Sequence, residues 1–109
     1  MAGLLTLVRE KISEQRVVQI AAAEIFPNRY QPRRKFAEED LRTLADSIRQ
    51  NGILQPLTVR RRGEQYELIA GERRLRAAKI AGLTHVPCIV MEISDRNAAI
   101  LALVEKLAE

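Results

Sequence analysis

The run QYELIAGERRLRAAKIAG, residues 65–82, constrains the fold more than any other stretch of this chain. QYELIA reads as a strand and ERRLRAAKIA as a helix to about Ala81, with Gly82 as its stop and Gly71 as the tight turn between them. A strand that passes to a helix across one glycine sets sheet and helix side by side. The same turn poses an electrostatic question. Arg73, Arg74 and Arg76 fall at a helix start, where unpaired N–H groups already carry roughly half a positive charge. Such placement is unfavourable unless an anion binds there, and backbone donors plus guanidinium forks would make a phosphate cradle. Glu72 offsets part of the charge and pairs with Arg76 at i, i+4. The competing reading is a glycine hinge followed by a solvated, arginine-rich helix, and both stand at this point.

Around this cassette the pattern alternates between helix and strand. Leu4, Leu5, Val8 and Ile12 share one side of an amphipathic helix over residues 2–15. RVVQI (16–20) reads as a strand, and AAAEIFPN as a helical turn or extended lead into the loop NRYQPRRK, where Pro32 disfavours helix. Leu41, Leu44, Ala45 and Ile48 fit a helix from Glu38 to Asn51, with Glu38, Glu39 and Asp40 in its first turn and Gly52 ending it. LTVR (57–60) and QYELIA form a hairpin around RRGE, with Gly63 supplying positive φ. VPCIVM (86–91) is a further strand. Ser94 caps a last helix in which Ile100, Leu103, Val104 and Leu107 share a face. The expected fold is α+β, a small mixed sheet with helices packed against it, in one domain over residues 16–109. The chain stops inside an amphipathic helix without a C-cap, and the expectation is a fragment of a longer protein or a helix completed by a partner.

Net charge is +4, which points to an anionic partner such as nucleic acid, nucleotide or anionic lipid. Three basic clusters carry it: Arg29 to Lys35, Arg60 to Arg62, and Arg73 to Lys79. The first offers Asn28, Gln31, Arg33 and Arg34 on a loop that is either plain surface or a ligand-closing segment. The hairpin arginines read most simply as a solvated turn, otherwise as a contact to a phosphate backbone. One cysteine and one histidine cannot build a metal cluster, and no Walker-type glycine loop is present. Cys88, in an apolar run, reads as a buried side chain, and His85 as structural or exposed. No apolar run approaches the ~20 residues of a membrane span, and no signal peptide is evident, so a soluble, intracellular chain is expected.

In order and spacing, the boxes NRYQPR (28–33), LADSIRQNGILQPLTVR (44–60) and YELIAGERRLRAAKIAG (66–82) resemble the N-terminal domain of the ParB family of chromosome-partitioning proteins, which includes the nucleoid occlusion proteins. The resemblance covers roughly residues 17–105. It implies a fold shared with sulfiredoxin and a CTP-binding switch: CTP and Mg²⁺ bind between the boxes, two such domains engage as a dimer, and the protein becomes a clamp sliding on DNA. It places Gln31 and Arg33 near the triphosphate, assisting hydrolysis, and makes Gly71, Glu72, Arg73 and Arg74 the principal phosphate-binding turn. Gly52 to Pro56 would line the nucleoside pocket, and Glu105 would lie near the metal and phosphates. A cytoplasmic, nucleoid-associated protein follows.

The sequence departs from the family at its end. The family's Glu-Asn-Leu-Gln-Arg box is here EKLAE, with Lys106, Ala108 and Glu109 at the Asn, Gln and Arg positions. The expectation is therefore nucleotide binding with CTP hydrolysis weak or absent, and Mg²⁺ handling altered by Lys106. The alternatives are a nucleotide-independent interaction or nucleic-acid-binding domain that has lost the switch, and an enzyme using a nucleoside triphosphate. Sulfiredoxin activity is disfavoured, because Glu72 stands where that enzyme needs a cysteine. The family's helix-turn-helix and C-terminal dimerisation domains are not in this sequence, so DNA contact is expected through the parent protein. Residues 2–15 are read as packing on the domain or a dimer partner, with membrane contact and docking to a ParA-type ATPase as the other readings.

Overall fold

A computed structural model describes residues 16–27 and 38–107, with side chains through Val104. The expected helix at 2–15 and the loop 28–35 lie outside the described residues. Five strands form one mixed sheet in the order β1-β5-β3-β4-β2: β1 Val17–Ala21, β2 Ile25–Pro27, β3 Leu57–Arg62, β4 Gln65–Ala70 and β5 His85–Val90. The helices are α1 Glu38–Asn51, α2 Glu72–Ile80 and α3 Asp95–Leu107. This is the mixed α+β architecture that the alternation of elements implies.

Successive strand side chains point to opposite faces, and both faces of this sheet are covered. Leu57, Val59, Leu68, Val86 and Cys88 form a core with Leu75 and Ala78 of α2. Their neighbours Ile69 and Ile89 turn the other way and pack with Ala98, Leu101 and Ala102 of α3. The sheet is thus sandwiched, with α2 on one side and α3 on the other. Helix α1 lies against α2 through Ala45, Ile48 and Ala77. Arg49 of α1 donates from Nη2 to the carbonyl of Ile80 at 3.1 Å, placing a cation on the electronegative end of α2.

The glycine stops behave as the sequence implies. At the end of α2, Gly82 N–H bonds Lys79 O and Leu83 N–H bonds Ala78 O, a Schellman pair with Gly82 at φ 84°. Gly63, at φ 63°, carries the hairpin turn. Ser94 caps α3, its Oγ accepting from Asn97 N–H at 3.2 Å.

One expectation sharpens and another changes. Within AAAEIFPN, read as a helical turn or an extended lead, residues 22–27 hold both, a 3-10 turn, Ala22–Glu24, and then a short strand, β2, that pairs parallel with β4. Pro27 is tolerated there because β2 is a sheet edge, where a missing N–H breaks no ladder. In α3 the buried face is Ala98, Leu101 and Ala102 instead of the face through Leu103, which is 47% exposed. Alanines let the helix axis approach the sheet more closely than leucines would, and that contact selects the face. No helix among the described residues is long and apolar enough to cross a membrane.

Candidate functional site

Strand β4 ends at Ala70, Gly71 takes the left-handed conformation with φ 107° and ψ 30°, and α2 begins at Glu72. Two constraints demand glycine here. A positive φ strains any L-residue with a side chain. A Cβ at this position would also lie 2.5 Å from Leu57 Cδ2 and 3.3 Å from Arg74 Nη2. Gly71 O accepts the first helical bond, from Leu75 N–H at 2.9 Å, and no side chain among the described residues caps the helix. By helix geometry the first-turn N–H groups lie outside the i to i−4 ladder and face the space ahead of α2.

The charged side chains of the turn divide. Glu72 accepts from Arg76 Nη2 at 3.1 Å, the expected i, i+4 pair. Arg73 is exposed. Arg74, half-buried, extends its Nη1 to two backbone carbonyls, Gln55 O at 2.6 Å and Pro56 O at 2.7 Å. The guanidinium at this helix start is therefore partly answered by carbonyl dipoles.

That bridge joins two of the sequence-predicted regions. The loop after α1 opens at Gly52, with φ 72° and its N–H on Ile48 O at 2.8 Å, and runs through exposed Leu54 into β3. Gly52 to Pro56 and Gly71 to Arg74 thus form adjacent walls, held in register by Arg74 above and by Leu57 packed under Gly71. Gln31 and Arg33 lie outside the described residues. Glu105 falls within α3, but its side chain is likewise outside the described set. Among the described residues no group of three or more His, Cys, Asp or Glu side chains is placed to hold a metal ion.

The solvated turn expected of the hairpin arginines holds for the exposed Arg61 and Arg62 and fails for Arg60. Arg60 is 5% exposed and Glu67 4%. Arg60 forks onto the Glu67 carboxylate, Nε at 3.3 Å and Nη2 at 3.2 Å, and also meets Asp95 Oδ1 at 2.8 Å and the carbonyl of Ile93 at 3.3 Å. Arg62 adds bonds to Glu67 and Asp95, each at 3.3 Å. Desolvation alone would lower the Arg60 pKa, but the hydrogen bonds and attraction of Glu67 and Asp95 outweigh it and raise it. This network ties the hairpin to the first turn of α3. Arg61 remains exposed, over the Tyr66 ring at 5.8 Å. A two-residue turn at Gly63 and Glu64 makes Arg60 and Glu67 direct cross-strand partners, so the hairpin register held the signal. Cys88 is fully buried, as expected, and burial pushes its thiol pKa up to about 11.

Comparison with known proteins places this geometry. Residues 6–107 match the ParB N-terminal domain family. Over 91 residues the chain is 59% identical to the chromosome-partitioning protein Spo0J of Thermus thermophilus, covering 84% of this chain and 34% of that protein. It is 46% identical over 94 residues to the nucleoid occlusion protein of Halalkalibacterium halodurans, covering 86% and 33%. The chain spans about a third of the length of these curated relatives. Among solved structures, C-terminally truncated ParB of Caulobacter crescentus complexed with CTP-γ-S superposes with a TM-score of 0.78 at 39% identity, covering 86% of this chain and 54% of that one. Sulfiredoxin of Arabidopsis thaliana shares the fold, with a TM-score of 0.66 at 23% identity, over 79% of this chain and 96% of that one.

Proposed function

The chain belongs to the ParB N-terminal domain family, and from that premise we propose that it is the CTP-binding switch domain of a DNA-clamp protein acting in chromosome partitioning or nucleoid occlusion. The observation that carries this reading is the left-handed turn at Gly71, from which α2 starts with its first-turn N–H groups beside Arg73 and Arg74, on a fold shared with a ParB complexed with CTP-γ-S. In this reading Gly71, Glu72, Arg73 and Arg74 form the phosphate-binding turn, where first-turn N–H donors and positive charge meet the same anion. Gly52 to Pro56 line the nucleoside side, and Gln31 and Arg33 close over the phosphates. Mg²⁺ fits the proposal because it takes one or two carboxylates plus substrate phosphates and needs no all-protein cage. Glu105 is the proposed carboxylate.

Lys106, standing where the family has Asn, favours binding with reduced or absent hydrolysis. DNA contact belongs to the parent protein, which acts as a homodimer; residues 2–15 pack on the domain or on the dimer partner, with membrane contact and docking to a ParA-type ATPase as the alternative roles. The proposed location is the cytoplasm, at the nucleoid. Calorimetric titration with CTP, ATP, GTP and UTP, with and without Mg²⁺, tests the core of the reading. CTP binding supports it, and no binding by any nucleotide at millimolar levels removes it in favour of a nucleotide-independent interaction domain. In that case Arg74→Ala leaves partner binding as it was.

A further inference from the structure

We propose that Arg74 is a positioning residue that braces the nucleoside-side loop against the phosphate turn, leaving Arg73 as the arginine that faces the phosphates. The inference rests on the nucleotide reading above and assigns separate tasks to two adjacent arginines that the sequence presents as a pair.

The geometry separates them. Arg74 Nη1 carries two hydrogens, and it makes two bonds, to Gln55 O at 2.6 Å and Pro56 O at 2.7 Å. Its Nη2 and Cζ lie so close over Gly71 that a Cβ there would approach them at 3.3 and 3.4 Å. The guanidinium is folded back across the glycine and reaches 18 and 19 residues away along the chain. Arg73, one residue earlier, is exposed at the second position of the helix.

The loop needs such a brace. Residues 52–56 contain no helix or strand, and Leu54 at its crest is 87% exposed. Gly52 fixes one end through Ile48 O, and Leu57 fixes the other by entering β3 beneath Gly71. Between them, Arg74 holds the two carbonyls. Phosphate can recruit Nη1 only by releasing Gln55 or Pro56, so the loop's shape and the occupancy of the turn are linked through one side chain. Gly71 is then required twice over, for its left-handed backbone and as the floor on which the Arg74 fork lies.

The test separates phosphate from nucleoside. The 109-residue chain and its Arg73→Ala, Arg74→Ala and Arg74→Lys variants are titrated with CTP and with inorganic tripolyphosphate, which lacks the nucleoside. Bracing predicts that Arg74→Lys, which keeps the charge but not the planar fork, lowers CTP affinity at least tenfold more than tripolyphosphate affinity. Arg73→Ala lowers both by the same factor. An equal loss of both ligands in Arg74→Lys would make Arg74 a plain phosphate ligand and overturn the proposal. A second readout needs no ligand: the NMR backbone order parameters of Ile53, Leu54 and Gln55 are expected to fall in Arg74→Lys, while those of α1 and β3 stay as in wild type. Loop order parameters equal to wild type would also overturn it. If wild-type chain binds no CTP, the proposed function fails, and the relaxation experiment still decides whether Arg74 braces the loop. Should Arg74→Ala fail to fold, the lysine variant carries both readouts.

Discussion

Strand β4 joins two arginine clusters that look alike in sequence and behave differently in space. At its beginning, Arg60 and Arg62 face the carboxylates of Glu67 and Asp95, two cations against two anions, and the central pair is nearly inaccessible to water. At its end, Arg73, Arg74 and Arg76 have Glu72 as the carboxylate within the turn, Arg74 bonds neutral carbonyls, and Arg73 faces solvent. Charge is cancelled at one end and retained at the other. Burial explains the division, since an arginine taken out of water must bring its counter-charge with it, whereas one at the surface can keep its field for a ligand. The first cluster holds the hairpin to α3, and the second prepares an electropositive surface beside a helix start.

Removing Glu67 is the strongest way to break this contrast. Glu67→Ala leaves the Arg60 charge buried and is expected to cost about 3–5 kcal/mol, a large share of the stability of a small domain. Urea denaturation measures it, and replacing the pair together, Arg60→Met with Glu67→Leu, is expected to recover more than half of the loss. Next in size is Gly71→Ala, at about 2–4 kcal/mol from a strained left-handed residue plus overpacking against Leu57. It is also expected to abolish nucleotide binding, which Glu67→Ala at a temperature where it stays folded is not.

An alkaline scan adds the core between the clusters as a reference. The Cys88 thiol rises from an ordinary 9.0 to about 11, so the folded chain holds that proton more tightly than the unfolded one. Its contribution is complete below pH 9 and is lost as pH climbs through 11. The slope is at most one proton's worth, about 1.4 kcal/mol per pH unit, and Cys88→Ala removes it. Arg60, with its pKa raised further, stays charged throughout, so the network should add no alkaline slope. Ser94→Ala removes the cap of α3 and should cost about 1 kcal/mol. The smallest effect on stability belongs to Arg73→Ala, within about 0.5 kcal/mol by thermal melting. The same variant should weaken CTP binding about 10–100-fold, the equivalent of one or two charge-assisted bonds, as read by calorimetry.

Local chemistry made much of the fold readable. Gly52, Gly63 and Gly82 stop or turn the chain where their positions suggest, and Ser94 caps the last helix. The hairpin itself was readable, but with a turn at RRGE, whereas β3 runs on to Arg62 and the turn is Gly63 and Glu64. That shift places Glu67 directly opposite Arg60, the pairing that a solvated turn does not foresee. Strand β2 was harder to see because three residues carry little periodicity and their partner strand lies some 40 positions away, Ile25 facing Tyr66. The buried face of α3 was ambiguous because ILALV offers apolar residues all round.

The sequence by itself determined the alternation of strand and helix, the glycine at the strand-to-helix switch, and the accumulation of positive charge beside it. These are local matters, set by backbone sterics and by residues within one or two turns of each other. Tertiary structure decided which arginines keep their charge available. Arg60 and Arg62 are both balanced because α3 delivers Asp95 beside Glu67, and Arg74 is drawn onto Gln55 and Pro56 because Leu57 beneath Gly71 brings that loop within reach. The acceptors of Arg74 are backbone carbonyls, which every residue carries. No spacing in the sequence could single them out, and only the folded chain selects which two they are.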